Sequence, residues 1–238
     1  MKRIFDSRMV IFLLSVFASG CSTQATFTYP LGGPIDVINN SPPDVKIAVL
    51  PAKDSRKIEN NPGSWFLYLI PLAPFGFVDY YRPEAARTFF SIADFRARMD
   101  EDLSKAIAKH LQQAGVARNV FFDYGGLANT ADYVLKTEIL ESTYHGRVIS
   151  YGLSAFGPLL WFIGLPGGTS GTELILKLDL ENKERKTIWS KQINQQWEVT
   201  QGLYYNMGRD MEGLAISLQN GLLNVLSNDP PNIAMSLR

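Results

Sequence analysis

The chain has 238 residues, with 23 Lys and Arg against 23 Asp and Glu, and a formal net charge of zero at pH 7. A balance this neutral argues against a nucleic-acid-binding surface and against strong attraction to anionic lipid head groups. Hydrophobic residues make up 46% of the chain, so it can bury the core of one domain of ordinary size without disulfides.

The amino terminus has the pattern of an export signal. Lys2, Arg3 and Arg8 form a basic start, and residues 9–17 form an almost uninterrupted apolar run. A helix of that length covers about 14 Å, which is too short to cross a hydrocarbon core of roughly 30 Å. The pattern therefore predicts a removable signal peptide over residues 1–20 rather than a membrane anchor.

The residues around the predicted cleavage site resemble the lipobox of bacterial lipoproteins. Ala18, Ser19 and Gly20 are small residues that stand directly before Cys21. In lipoproteins with this motif the cysteine receives a diacylglycerol, the chain is cut before it, here between Gly20 and Cys21, and the new amino group is acylated. Cys21 is the only cysteine of the chain, so it has no disulfide partner there. The alternative is an ordinary secretory signal followed by a free thiol.

Ser22 stands at the position where lipoproteins retained in the inner membrane usually have Asp. Resemblance to the sorted class therefore implies the outer membrane, on its periplasmic face. Residues 22–44 are rich in Pro, Gly, Ser, Thr and Asn and show little apolar periodicity, which predicts a flexible tether over residues 21–44. A coil of that length would span about 26 Å.

A single domain is predicted over residues 45–228, beginning with a buried strand at residues 45–50. Residues 91–114 have the clearest helical pattern, with Ser91 and Asp94 as a capping box and Gly115 as the stop signal. Asp100, Glu101 and Asp102 are expected on its solvated face. The apolar residues recur at intervals of three and four and predict one buried stripe: Ile92, Phe95, Met99, Leu103, Ile107, Leu111 and Ala114.

Strands dominate the second half of the chain. Residues 116–124 and 131–145 are predicted strands. Residues 173–181 alternate strictly between leucine and mostly charged residues, which predicts a strand with one buried face. Residues 187–199 place Trp189, Ile193, Trp197 and Val199 on one face, so these last two strands are expected to form a hairpin.

A final helix is predicted over residues 203–226, with Met207 and Met211 on its buried stripe, although its glycines lower the intrinsic helical propensity. Residues 229–238 form a tail. The order of elements predicts an α+β fold in which two helices pack on a mixed, largely antiparallel sheet of about five strands.

Two long apolar insertions interrupt this fold, at about residues 52–90 and 148–172. Asp79, Arg82 and Glu84 follow the apolar part of the first insertion, where they are expected to form a polar rim or a local ion pair.

Both insertions contain long stretches without charge. Residues 60–78 and 148–172 carry no Asp, Glu, Lys or Arg. Prolines and glycines interrupt both stretches, which argues against a spanning helix. The run 159–163 does not alternate between apolar and polar residues as a pore strand should.

Two interpretations of the insertions stay open. Either they fold onto the domain as additional core or cap each other, or they form an exposed apolar patch. Such a patch would serve a protein partner, self-assembly or the lipid surface near the tether. Seven aromatic residues are the predicted anchors of this interaction patch: Trp65, Phe66, Tyr68, Phe75, Phe156, Trp161 and Phe162.

The sequence offers little for catalysis or metal binding. The only histidines are His110, expected at the surface or the edge of the first helix, and His145, at the end of a strand. No HExxH or paired-histidine spacing supports a zinc site. Residues 152–156 have Phe where a nucleophile elbow needs Gly, and residues 167–171 lack the Lys-Ser/Thr pair of a phosphate loop. We therefore expect no enzymatic activity, metal, cofactor or nucleic-acid partner.

Together these patterns resemble a family of periplasmic lipoprotein domains. The motif KIAVLP at residues 46–51, the helix end LQQAG at residues 111–115, the strand ADYVL at residues 131–135 and the hairpin with Trp189 are similar to the TolB amino-terminal domain and the curli-secretion lipoprotein. The likeness covers roughly residues 45–226. It implies an accessory or assembly component of a cell-envelope complex, with an envelope protein or a second copy as partner. The alternative is an oligomeric pore-forming secretion subunit of the curli-secretion type.

Overall fold

A computed structural model describes residues 24–30, 35, 37, 39, 41–58, 63–85 and 94–231. The predicted signal peptide, the cleavage site at Gly20 and Cys21, and the end of the tail lie outside these residues. The described chain forms the predicted α+β fold, with seven strands in one mixed sheet and two in a small parallel sheet. The elements are β1 (Gln24–Thr26), β2 (Lys46–Val49), β3 (Lys53–Asp54), β4 (Phe75–Tyr80), β5 (Asp94–Arg96), α1 (Met99–Gln113), β6 (Asn119–Phe122), β7 (Tyr133–Ile149), α2 (Pro158–Phe162), β8 (Gly168–Glu181), β9 (Thr187–Gln201) and α3 (Glu212–Asn228).

The 17-residue strand β7 is the centre of the main sheet. Along one edge it pairs in parallel with β2 and β3, and then in antiparallel fashion with β4. Along the other edge it pairs with β8, which pairs in turn with β9, while β6 lies beside β2. The sheet exceeds the expected five strands because β3 and β4 come from the first insertion, where no strand was predicted.

The core lies between one face of this sheet and helices α1 and α3. Leu174, Leu176, Leu178 and Leu180 are all buried on that face of β8, which confirms the alternation predicted for this strand. Strand β8 begins at Gly168, so the end of the second insertion is also part of the sheet. The predicted hairpin is confirmed by the antiparallel pairing of β8 and β9.

Helix α1 begins at Met99, later than predicted. The expectation of a capping box at Ser91 and Asp94 was wrong, because Asp94 lies in β5, which pairs with β1. The carboxylate of Asp102 instead accepts a hydrogen bond from the Arg98 amide at 2.8 Å. The residues of β5 therefore pair with β1, which is distant in the chain, although their local apolar pattern favours an extension of the helix.

The carboxyl end of α1 is as predicted. Gly115 has φ of +78°, a conformation that glycine adopts without a steric penalty. The amide of Val116 donates to the Leu111 carbonyl at 3.0 Å, and the amide of Gly115 donates to Gln112 at 3.2 Å. This is the Schellman pattern of helix termination.

Residues 24–30 are folded onto the domain rather than forming a free tether. Phe27 and Tyr29 pack against the core beside α1, and the Tyr29 hydroxyl lies 2.5 Å from Nδ1 of His110. His110 is completely buried, so its expected surface position was wrong. Local periodicity could not place it, because the side chains that cover it come from the segment before the domain.

Helix α3 begins at Glu212, and Met207 lies in an exposed loop rather than on the predicted buried stripe. Met211 and the later stripe residues are buried or half-buried. Gly213 and Gly221 face the sheet: a Cβ atom at Gly213 would lie 2.4 Å from the Trp197 ring, and one at Gly221 would lie 2.3 Å from a methyl group of Ile193. The glycines that lower helical propensity thus allow the helix to approach β9 closely.

Arg56 fastens the base of the first insertion to β7. Its side chain is only 2% exposed. The guanidinium makes a two-pronged contact with Glu84 at 2.5 and 3.1 Å, bonds the Asp54 carboxylate at 2.9 Å and donates to the Ser142 hydroxyl on β7 at 2.7 Å. Hydrogen bonding to Arg56 lowers the pKa of Asp54 below its usual value. Arg82 adds a second cation 3.1 Å from Asp54.

Replacing Arg56 with Ala should lower the free energy of unfolding by about 3 kcal/mol, because it leaves the partly buried carboxylate of Glu84 without its cation and that of Asp54 with Arg82 alone. Arg56→Lys should retain part of this stability, since it keeps the charge and loses the fork. Lys53→Ala, which breaks the exposed pair with Glu138, should cost about 0.5 kcal/mol or less. Urea unfolding checks all three variants; equal losses for Arg56→Ala and Lys53→Ala would contradict the assignment.

Acid should destabilise the domain through His110. Burial lowers the pKa of His110 from 6.5 to about 4, so between these pH values the unfolded chain binds a proton that the folded chain excludes. The stability is complete above about pH 6.5 and falls as the pH is lowered, by roughly 2 kcal/mol between pH 7 and pH 5.

Unfolding curves at several pH values test this dependence. His110→Gln should flatten it, whereas His145→Gln, which removes the half-exposed histidine of β7, should leave it in place. The same pH dependence in the His110→Gln protein would show that another group is responsible.

Candidate functional site

The strand pairing brings the two apolar insertions to the same end of the sheet. Phe75 at the start of β4 pairs with Ile149 at the end of β7, and Gly168 at the start of β8 pairs with Val148. The chain segments that leave these strands must therefore emerge side by side. We call this end of the molecule the tip; it consists of residues 64–75, 150–167 and 202–208.

The first two segments of the tip fold as short helical turns. Trp65–Leu69 forms a 3-10 turn in the first insertion. In the second, Ser154–Phe156 forms a 3-10 turn and α2 follows, with Pro158 at its first position. Proline suits that position because the first amide of a helix has no intrahelical acceptor. Longer helices are absent from this part of the tip, as the prolines and glycines predicted.

Hydrogen bonds join the two insertions. The Leu72 amide donates to the Gly152 carbonyl at 2.9 Å, and the Ser154 hydroxyl donates to the Leu69 carbonyl at 2.5 Å. The rings of Tyr68 and Trp161 lie 6.3 Å apart across the same contact. The insertions therefore cap each other, as one of the two sequence interpretations proposed.

A third segment completes the tip. The hydroxyl of Tyr204 donates to the Phe162 carbonyl at 2.9 Å, and the Gly167 amide donates to the Gln201 carbonyl at 2.8 Å. Sequence reasoning missed this loop because residues 203–211 were assigned to the last helix. One signal was available: residues 199–208 are also free of charge.

The tip exposes most of the large apolar side chains at the surface of the described chain. Eighteen such side chains are exposed among the described residues, and fourteen of them belong to the tip. An exposed apolar surface this concentrated marks a site of interaction in a folded protein. The fourteen are Trp65, Phe66, Leu69, Ile70, Leu72, Phe75, Leu153, Phe156, Leu159, Phe162, Ile163, Leu165, Tyr204 and Met207.

Each of the two interpretations of the insertions thus applies to a different set of residues. Five of the seven predicted anchors are exposed: Trp65, Phe66, Phe75, Phe156 and Phe162. The other two anchors, Tyr68 and Trp161, are half-buried between the insertions. Their rings hold the tip together and contribute less to its outer surface.

The most exposed side chains of the tip are aliphatic and were not among the predicted anchors. Leu72 is 89% exposed and Ile163 is 75% exposed. Leu72 also has φ of +71°, the left-handed region that costs a residue with a branched side chain about 1–2 kcal/mol. Tyr151, Ser154 and Asn206 share this conformation elsewhere in the tip. Backbone strain of this kind clusters at functional sites.

Charged groups begin immediately below the tip. The guanidinium of Arg147 lies 5.5 Å from the centre of the Phe75 ring. Nδ1 of His145 lies 2.7 Å from the Asp79 carboxylate, and Arg209 pairs with Glu212 at 2.6 Å. We call these residues the polar collar, because they lie between the uncharged tip and the charged remainder of the domain.

A buried polar network fixes the third loop to the sheet. The Asp210 carboxylate, which has no exposed surface, accepts hydrogen bonds from Ser170 on β8 and from the amide of Gln201 on β9. The Tyr144 hydroxyl lies 3.2 Å from the same serine. Burial, with the charge of Asp210 as a second cause, raises the pKa of Tyr144, so this phenol stays protonated. The network anchors the segment that leads from the tip into α3.

No three His, Cys, Asp or Glu side chains among the described residues are arranged to hold a metal ion. None of the described helices combines the length and hydropathy needed to span a bilayer. No protein-family model matches the sequence, and no curated protein is significantly similar to it.

Leu72→Asn should leave the protein as stable as the parent or raise the free energy of unfolding by up to about 1 kcal/mol. Asparagine tolerates the left-handed conformation, and the exposed leucine side chain contributes little packing. Leu69→Asn is the matched control, because Leu69 is half exposed without a positive φ and has no such strain to relieve. Urea unfolding distinguishes the two; a loss above about 1 kcal/mol for Leu72→Asn would show that this leucine is needed for folding.

Proposed function

We propose that this protein is a non-enzymatic outer-membrane lipoprotein that acts as an accessory or assembly component of a cell-envelope complex. The observation that carries the proposal is the tip, an ordered apolar surface on a domain that follows a lipobox-like sequence. Ordered apolar surfaces of this kind serve recognition, because little conformational entropy is lost when they bind. The chemistry of the tip favours contact over catalysis, since its exposed side chains are almost all apolar.

The position of Gln24 limits how far a lipid on Cys21 could lie from the domain. Gln24 begins β1 and follows Cys21 by three residues. Three residues reach at most about 11 Å, much less than the 26 Å expected for a coil over residues 21–44. A lipid on Cys21 would therefore hold the domain directly against the membrane surface, where an accessory protein can act.

The accessory role has more support than the pore-forming alternative. A strand that crosses a membrane needs about 9–11 residues with alternating apolar and polar side chains. The second insertion instead forms two short helical segments between residues 154 and 162. This local structure favours a surface that makes contact over one that lines a channel.

Replacing Cys21 tests the anchor. The parent protein purified from membranes should begin at Cys21 and be heavier by its acyl groups, whereas Cys21→Ser should lack this mass and no longer fractionate with the outer membrane. Intact-mass analysis and membrane fractionation measure both properties.

Ser22→Asp is the matched control. It should keep the acyl groups and move the protein to the inner membrane, as the resemblance to sorted lipoproteins implies. A parent protein with no acyl mass would refute the anchor.

A further inference from the structure

We infer that the tip is a lipid-docking surface, which inserts into the interfacial region of the membrane that holds Cys21. This inference rests on the proposed lipid anchor for its location and adds a second point of attachment. The occupant is the bilayer itself, and three independent features of the described residues support it.

The first feature is the direction in which the chain enters the domain. Strand β7 runs towards the tip, and β2 is parallel to it. Helix α1 runs the opposite way, because its first turn bonds Ala52 after β2 while its end bonds Asn39 before β2. The segment from β1 to Tyr29 runs in the same direction as α1, since Gln24 pairs with Asp94 before that helix and Tyr29 meets His110 in its last turns. The amino end of β1, nearest to Cys21, therefore faces the end of the molecule that carries the tip.

The second feature is the absence of charge. Residues 60–78, 148–172 and 199–208 contain no Asp, Glu, Lys or Arg, so all three segments of the tip can enter the interface without burying a charge. Arg209 belongs to the polar collar and is paired with Glu212. Interfacial segments typically lie about 5–10 Å deep, with polar residues at the water boundary.

The third feature is that polar side chains of the tip bond to its own backbone. The Ser150 hydroxyl donates to the Ala73 carbonyl at 2.6 Å, and the Tyr151 hydroxyl donates to Pro166 at 2.8 Å. The Trp161 ring nitrogen donates to Ile149 at 3.0 Å, and Tyr204 bonds Phe162. Lipid offers no hydrogen-bond partners, so a segment that enters it must satisfy its polar groups internally.

These features favour lipid over a protein partner or a second copy. A protein interface carries about one hydrogen bond per 100–200 Å² and a polar rim that pairs with its partner. The polar groups named above bond within the tip, and its most exposed large apolar side chains are Leu72, Ile163 and Phe156. The tip also contains Trp and Tyr, the residues that prefer the boundary between lipid and water.

Tryptophan quenching in vesicles tests the inference. The chain has four Trp, two in the tip and two, Trp189 and Trp197, on β9. The mature lipidated protein is reconstituted into phosphatidylethanolamine and phosphatidylglycerol vesicles, with or without brominated acyl chains. Trp189→Phe/Trp197→Phe leaves the tip reporters, which should lose roughly half of their emission or more if the tip lies about 5–10 Å deep. Trp65→Phe/Trp161→Phe leaves the β9 reporters, which should be little affected.

Charged variants of the otherwise unaltered protein provide a second measurement. Leu72→Asp/Phe156→Asp changes two exposed side chains and should abolish the bromine-dependent quenching while the protein stays on the vesicles. Leu127→Asp is the matched control, since Leu127 is 58% exposed near the opposite end of the sheet and should leave quenching unchanged.

Tip tryptophans that remain unquenched on the tethered protein would overturn the inference; their protection in native membranes would then indicate a protein partner. Failure of the lipid anchor is recognised separately by intact mass. In that case the unlipidated protein is added to the same vesicles, where quenching supports docking and its absence overturns it.

Discussion

The hydrogen-bonding capacity of β7 organises this fold. A strand has two edges, and one edge of β7 is shared in succession by β2, β3 and β4, while β8 occupies the other. Together these three partners pair along the full length of the 17-residue strand, from Tyr133 to Ile149. The last of these partners returns from the first insertion, and β8 returns from the second. The two insertions therefore meet at one end because β7 is paired there on both edges.

The molecule is divided into a charged body and an uncharged end, and each is held by a different interaction. Arg56 joins the base of the first insertion to β7 through two carboxylates and Ser142. Beyond the collar, no ion pair is available, and the tip relies on backbone carbonyls and on the contact between Tyr68 and Trp161. A surface without charged residues, whose polar groups bond to each other, is suited to lipid, which solvates neither charged nor polar groups.

Local patterns in the sequence predicted the parts of the fold that local physics decides. The leucine alternation of β8 and the glycine stop of α1 are confirmed because burial and backbone conformation act there on each residue separately. The amino end of α1 and the environment of His110 depend on residues 24–29, which pair or pack far from their position in the chain. The tip was predicted in part, since its aromatic residues were identified. The third loop and the exposure of Leu72 were not predicted, because they depend on how three separate segments meet.

The Tyr29–His110 contact has a consequence for how the protein would diffuse on a membrane. Because it fixes residues 24–30 on α1, a lipid at Cys21 would be linked to a rigid body by three residues instead of by a long coil. Attachment through both the lipid and the tip would confine the tilt and the rotation of this rigid body. Each attachment would raise the local concentration of the other to the millimolar range. Even a weak affinity of the second attachment would then set the orientation of the whole domain relative to the membrane.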